Sequence, residues 1–238
     1  MQYWQRITLV KKDDRGRRMR KNKEWISLAT GLIGVIVGVY GVVSLNQMVR
    51  MLPLGIRMIS VILAYWLIAV LPIIVMLLGR DKLADYGFTK EKVGSQIVVG
   101  ILLGIAMSLV LTLIPHFIGF GGNVDNGKRY EYAWQFVYEF CYCIVSVSCV
   151  EEFVFRGFVY EKIRRISQRD MIAVIGSSAL FGAFHFLGGN VVQMIMTACI
   201  GAFFCLCRLK IKNCTIVSLI IAHGIYDALI TVWASMLL

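Results

Sequence analysis

Long apolar runs alternating with short basic connections predict an all-α protein, a polytopic transmembrane helical bundle of about seven spans. Three observations carry that fold class. Of 238 residues, 58% are hydrophobic and only 16% are charged, whereas soluble domains sit near 45–50% and about 25%. Mean hydropathy is +0.73, and several apolar runs are long enough to cross a hydrocarbon layer about 30 Å thick. Lys and Arg gather between the runs, where a topology signal would put them.

Seven runs qualify as spans: Trp25–Val49, Ile56–Leu78, Val93–Ile118, Tyr138–Lys162, Met171–Leu187, Val191–Cys207 and Thr215–Met236. With the N-terminus placed in the cytoplasm, 21 of the 25 Lys and Arg fall on the inner side, nine of them before Trp25 in stretches such as KKDDRGRRMRKNK. Only Arg50, Arg57, Lys128 and Arg129 fall outside. This bias predicts the N-terminus inside and the C-terminus outside. It also explains the net charge of +11 as topology, so no nucleic-acid partner is expected. The lipid bilayer is the expected partner, and the cell membrane, multi-pass, the expected location. No short apolar core with a small-residue cleavage site opens the chain, so no removable signal peptide is expected.

A single domain suffices, organised as a basic cytoplasmic segment (1–24), three spans (25–130) and a four-span core (131–238). Gly31, Gly34, Gly38 and Gly41 line one side of the first span, and Gly100 and Gly104 repeat the spacing in the third; both read as close helix packing. The connection DKLADYGFTKEK reads as an amphipathic cytoplasmic segment, and the outer loop GFGGNVDNGKRYEY, rich in Gly and Asn, as mobile. The seven cysteines lie almost entirely within apolar runs without metal-knuckle spacing. They read as small hydrophobes, with no disulfide framework.

The core carries charges that an apolar segment should reject. A charged side chain at mid-bilayer costs about 2.5–3.5 kcal/mol on insertion scales, yet EEFVFR places Glu151, Glu152 and Arg156 within six residues. His185 and His223 also lie inside apolar runs, with Asp227 four residues after the second. His116, beside Pro115 at an outer helix end, reads as a wet interfacial residue.

Depth arithmetic brings these groups together. The turn between the fourth and fifth spans centres near Gln168, with Glu151 17 residues before it and His185 17 after it. Equal offsets in an antiparallel hairpin give equal depth. Glu151 is 11 residues from Lys162, and His223 is 11 from Lys212, roughly 16 Å in each case. One carboxylate and two imidazoles therefore meet at one level.

Helical spacing separates the roles. Glu152 and Arg156, four apart, form an ion pair in the favourable order, leaving Glu151 about a quarter turn away to face a cavity. Asp227 can hydrogen-bond His223 and fix its tautomer. Phe181 shares a face with His185, where it either packs in the core or supports the site. This constellation suits hydrolysis by an activated water, with Glu151 as the base. His185 and His223 could donate to an oxyanion or, with Glu151, could hold a divalent metal such as zinc. No serine or cysteine has an adjacent base in the arrangement a covalent mechanism requires, and no glycine motif cradles phosphate.

EEFVFR fits an EExxxR pattern, FGAFH an FxxxH pattern and HGIYD an HxxxN/D pattern, in order on successive helices. In this, Glu139 to Trp233 resembles the CAAX prenyl protease and bacteriocin-processing family of intramembrane peptidases. LADYGF is similar to the short connection that precedes that core. The resemblance implies an intramembrane endopeptidase acting on a peptide or protein substrate at the membrane. It implies Glu151 as the water-activating residue, His185 and His223 completing the site, Asp227 in the Asn/Asp position, and Glu152 and Arg156 in support. It leaves open whether a metal takes part. The alternatives are a non-catalytic scaffold or regulator of a partner, such as a sensor kinase or cell-wall enzyme, and a transporter, which should show repeats or broken helices at midplane. Substrate identity and oligomeric state are not readable from these residues.

Overall fold

The computed structural model describes residues 2–120, 127–187 and 189–237, with side chains from residue 16 onward. The centre of the outer loop expected to be mobile, 121–126, lies outside the described residues. Among the described residues the regular structure is entirely helical. The helices are α1 (Gln2–Met48), α2 (Leu54–Tyr65), α3 (Leu67–Leu78), α4 (Val93–Ser108), α5 (Ala133–Ser167), α6 (Asp170–Phe186), α7 (Val191–Lys210) and α8 (Ile216–Leu237).

Among the described residues six stretches are long and apolar enough to cross a membrane: Gly16–Met51, Leu54–Leu78, Val93–Phe120, Ala133–Ser167, Val191–Lys210 and Ile216–Leu237. The fifth expected span is α6, apolar but only 17 residues long. At 1.5 Å per residue it reaches about 25 Å, short of a full hydrocarbon crossing. The protein is thus a polytopic membrane bundle of six long apolar helices and one shorter one.

Two boundaries differ from the apolar runs. Helix α1 begins at Gln2, so the basic segment continues the first span as helix. Helix α5 extends past both ends of the run at Tyr138–Lys162. Hydropathy marks only the greasy part of a helix, and backbone hydrogen bonding carries on wherever charged side chains find partners. Leu54–Leu78 is broken instead, at Trp66. There the Trp66 N–H bonds to the Leu63 carbonyl rather than one residue further back, and the Ala69 N–H bonds to Trp66 in the same tightened way. Pro72 follows two turns on and has no N–H to restore the helical ladder.

Glycines set the helix pairings. A Cβ on Gly34 would strike Leu71, and one on Gly38 would lie 2.5 Å from the Ile68 Cα, so α1 and α3 run antiparallel at close range. Gly100 meets Ser218 and Ile221, and Gly104 meets Ala222 and Ile225, so α4 and α8 run parallel. Gly182 meets Met194 and Ala198 while Gly201 meets Ser178, which pairs α6 with α7 antiparallel. Small residues let backbones approach where lipid supplies no hydrophobic drive between helices. The middle of α5 is enclosed: Val150, Phe153, Val154, Phe155, Phe158 and Val159 are all buried. The acidic pair of EEFVFR therefore sits at the centre of the bundle.

An ionic clasp closes one end. Asp81, after α3, accepts from Tyr86 at 2.6 Å, Lys162 at 3.0 Å and Arg165 at 2.9 Å. Glu24 of α1 pairs with the same Lys162 at 2.9 Å. Tyr86, in the connection read as merely amphipathic, is fully buried and stacks on Phe158. Partial burial pushes the Asp81 carboxyl up, but the three hydrogen bonds outweigh it and bring it down to about 2. A carboxyl depressed in the fold stabilises it above its unfolded value, and that contribution is lost as pH falls through the folded value. Asp81→Asn should lower thermal stability in detergent by about 1–2 kcal/mol at neutral pH, after discounting for exposure. The gap to wild type should close between about pH 4 and pH 2, and a pH-independent gap would exclude ionic origin.

Candidate functional site

Helix α5 is irregular on both sides of Glu151. Cys143–Ser148 and Glu152–Val159 turn as π-helix, widened relative to the α-helical turn Cys149–Glu151 between them. Such wide turns leave carbonyls partly unserved and are frequent at functional sites. Ser148 Oγ donates to the Cys143 and Ile144 carbonyls at 2.8 and 3.1 Å. A Cβ on Gly224 would lie 2.8 Å from the Ile144 Cα, so α8 closes directly on the first wide turn. That contact delivers His223, the preceding residue, to Glu151.

The carboxylate of Glu151 is the focus. One oxygen, Oε2, lies 3.9 Å from His185 Nε2 on α6 and 3.9 Å from His223 Nε2 on α8. It is buried and has no hydrogen-bond partner among the described residues. The other oxygen, Oε1, accepts the hydroxyl of Tyr65, the last residue of α2. Glu151 is 2% exposed, whereas His185 and Asp227 are 21% and 29% exposed, so the site is closed at the carboxylate and opens past those two side chains.

The second carboxylate holds the site in shape. Glu152 Oε1 lies 3.1 Å from Arg156 Nη1 and 2.7 Å from His223 Nδ1. Arg156, fully buried, makes no well-aligned hydrogen bond through its guanidinium, and its contact with Glu152 is ionic. Its guanidinium instead lies over the Phe181 ring, 3.9 Å from the centroid, and 5.4 Å from that of Phe204. Phe181 also meets His185 edge-on at 4.5 Å and His223 at 6.3 Å. It is both core and site wall, so the two readings of this residue describe one side chain.

All seven site residues read from the sequence thus fall in one cluster. The depth arithmetic corresponds to real proximity, and the Glu152–Arg156 spacing to a real ion pair. Asp227 does contact His223, but at Nε2, 3.3 Å away; the tautomer-fixing contact at Nδ1 belongs to Glu152. Helical spacing could not show this, because Glu152 and His223 are 71 residues apart. Tyr65 was missed altogether. Its partner is 86 residues distant, and a tyrosine in an apolar run carries no local signal. His116 stays half-buried near its helix end, edge-on to Phe117.

The donor types suit a divalent metal. His185 Nδ1 contacts the Phe181 carbonyl at 3.1 Å and His223 Nδ1 contacts Glu152, so both rings present Nε2 inward, as zinc-binding imidazoles do. The Glu151 Oε2 without a protein partner adds an oxygen donor. The 3.9 Å separations exceed the roughly 3.4 Å between ligands of tetrahedral zinc with bonds near 2.1 Å. Among the described residues no three such side chains stand close enough together to hold a metal ion as they are placed. The set fits a metal in chemistry and is more open than a filled site.

Residues 133–229 match the family model described as Rce1-like, type II CAAX prenyl endopeptidase. The matched stretch begins at the first residue of α5 and ends within α8, enclosing both acidic residues, Arg156, Phe181, both histidines and Asp227, but not Tyr65. No curated protein and no solved structure matches the chain.

Proposed function

We propose, on the match of residues 133–229 to the type II CAAX prenyl endopeptidase model, that the protein hydrolyses peptide bonds within the membrane, with Glu151 activating the attacking water. The observation that carries this reading is the inward Glu151 Oε2, buried, without a protein donor, and equidistant from two imidazole Nε2 atoms. As water adds to the scissile carbonyl carbon, Oε2 takes its proton. The C–O bond forms, the C–N bond then breaks, and Glu151 returns the proton to the leaving nitrogen. His185 and His223 face the developing oxyanion with Nε2, where a hydrogen bond from either ring stabilises it. A divalent metal, where bound, would be held by His185 and His223 and would supply Lewis-acid polarisation of the carbonyl.

Glu152 fixes the His223 ring through Nδ1, and Arg156 neutralises Glu152. Asp227 lies on the exposed side of His223 and bears on its Nε2. With the N-terminus on the cytoplasmic side, the reading that the positive-inside count favours, substrate would reach the site from that face. The substrate class follows the matched family: a peptide with a prenylated cysteine followed by a short C-terminal tail.

The test uses purified full-length protein in liposomes with an internally quenched peptide ending in a farnesylated cysteine and three further residues. Wild type should release the C-terminal tripeptide, and His185→Ala and His223→Ala should each lose at least about 100-fold in kcat/KM. Elemental mass spectrometry of the same three samples reads the metal. About one zinc per wild-type chain, lost in both variants, would assign the metal-dependent route. Binding of the peptide without cleavage in wild type would favour a scaffold over an enzyme.

A further inference from the structure

The matched domain lacks one contact that Glu151 has in the whole chain, the hydroxyl of Tyr65 on Oε1. We infer that Tyr65 is a positioning residue for Glu151, so the site is completed by the second span, outside the matched segment. The inference rests on the peptidase reading above and assigns a role that the three sequence patterns do not contain.

Two carboxylate oxygens are chemically equal until something distinguishes them. Tyr65 does so by donating to Oε1, which turns the free lone pairs of Oε2 toward the two imidazoles. A hydrogen bond from a neutral donor to a charged acceptor holds its partner more firmly than a neutral pair does. A base held in one rotamer meets its water in one geometry, which is where positioning enters a rate.

The local structure around Tyr65 supports a placed hydroxyl. Tyr65 is the residue immediately before the break at Trp66. The break turns the Trp66 N–H away from the Ile62 carbonyl, and Ser146 Oγ of α5 donates to that carbonyl at 2.9 Å. Tyr138 of α5 donates to the Met58 carbonyl one turn earlier, at 3.3 Å. Tyr65 itself packs edge-on to Tyr142, whose ring stacks on Tyr138. Side chains of α5 therefore grip α2 along the turns that end in Tyr65, and the gripped helix returns a hydroxyl to Glu151 on α5. An unbroken apolar span would need neither the freed carbonyl nor the serine that takes it.

Wild type, Tyr65→Phe, Glu151→Gln and the double variant are compared as full chains in detergent and in liposomes with the farnesylated peptide. Tyr65→Phe should shift the infrared band of the Glu151 carboxyl, and that shift should vanish when the same exchange is made in Glu151→Gln. It should lower kcat roughly 10- to 100-fold with KM within about twofold, the split expected of an interaction felt in the transition state. Difluorotyrosine at position 65 keeps ring and hydroxyl, should fold as wild type, and should recover most of the lost kcat. An unmoved carboxyl band overturns the inference whatever the activity. Wild-type kcat in Tyr65→Phe beside an inactive Glu151→Gln overturns it too, leaving the peptidase reading standing. No cleavage by wild type sinks the peptidase reading, and full activity in Glu151→Gln removes Glu151 as its base; in either case the band still decides the contact.

Discussion

Replacing Glu152 by Ala is expected to cost about 3–5 kcal/mol of stability, the largest effect of any single substitution in the site. The side chain is fully buried and its Oε1 serves two partners, Arg156 at 3.1 Å and His223 at 2.7 Å. Removing it leaves a guanidinium that is 1% exposed with no counter-charge. The rings of Phe181 and Phe204 remain as cation–π partners, each interaction worth up to about 2 kcal/mol when dry, which is too little to replace an ionic partner. The His223 Nδ1 also loses its acceptor, so the ring is free to rotate or change tautomer, and activity should fall about 10- to 100-fold even where fold survives. A double-mutant cycle separates the two effects. Glu152→Ala with Arg156→Met should recover much of the stability, because the orphaned charge is gone, but none of the activity, because His223 is still unheld. Loss of less than about 0.5 kcal/mol in Glu152→Ala would mean that Arg156 has another partner that matters more.

Much of this arrangement is visible in the sequence because membranes simplify the problem. Apolar runs must become helices, since backbone groups in lipid have no other partner, and glycines at helical spacing had to face other helices. Charged residues inside such runs must converge, and equal offsets from a turn say at what depth. Glu151, His185 and His223 were legible on those grounds alone. What stayed hidden is what depends on rotation and on distant partners. The wide turns flanking Glu151 alter which way Glu152 points, so its reach to His223 does not follow from an ideal 100° step. The break at Trp66 has no proline or glycine at the break itself, and the Ile62 carbonyl it frees is taken by Ser146 of another helix, a partner with no local signal. The Asp81 clasp joins α1, α5 and the connection after α3, and each of its members alone reads as an ordinary basic or acidic loop residue. The shortness of α6 was the opposite case, visible in the run length but outweighed by its hydropathy.

The buried carboxylate at 151 is costly to the fold, and the proposed reaction gives it its use, which makes it the place to separate the two. An ion taken out of water costs several kcal/mol after relaxation, and Glu151 has one neutral donor and one oxygen without a protein partner. Glutamine at 151 keeps the shape and an oxygen for Tyr65, removes the charge, and cannot accept the proton of water. The variant should therefore be at least as heat-stable as wild type, the sign expected where a site is strained for function, while losing about 10²–10⁴-fold in kcat/KM, the usual worth of a general base. The most direct measurement is cleavage of the farnesylated peptide by wild type and Glu151→Gln, reconstituted side by side, with product identified by mass spectrometry and stability read on the same preparations. The expected result is a stable, folded variant that binds the peptide and leaves it intact. Tripeptide release at the wild-type rate by Glu151→Gln would show that the water is activated elsewhere.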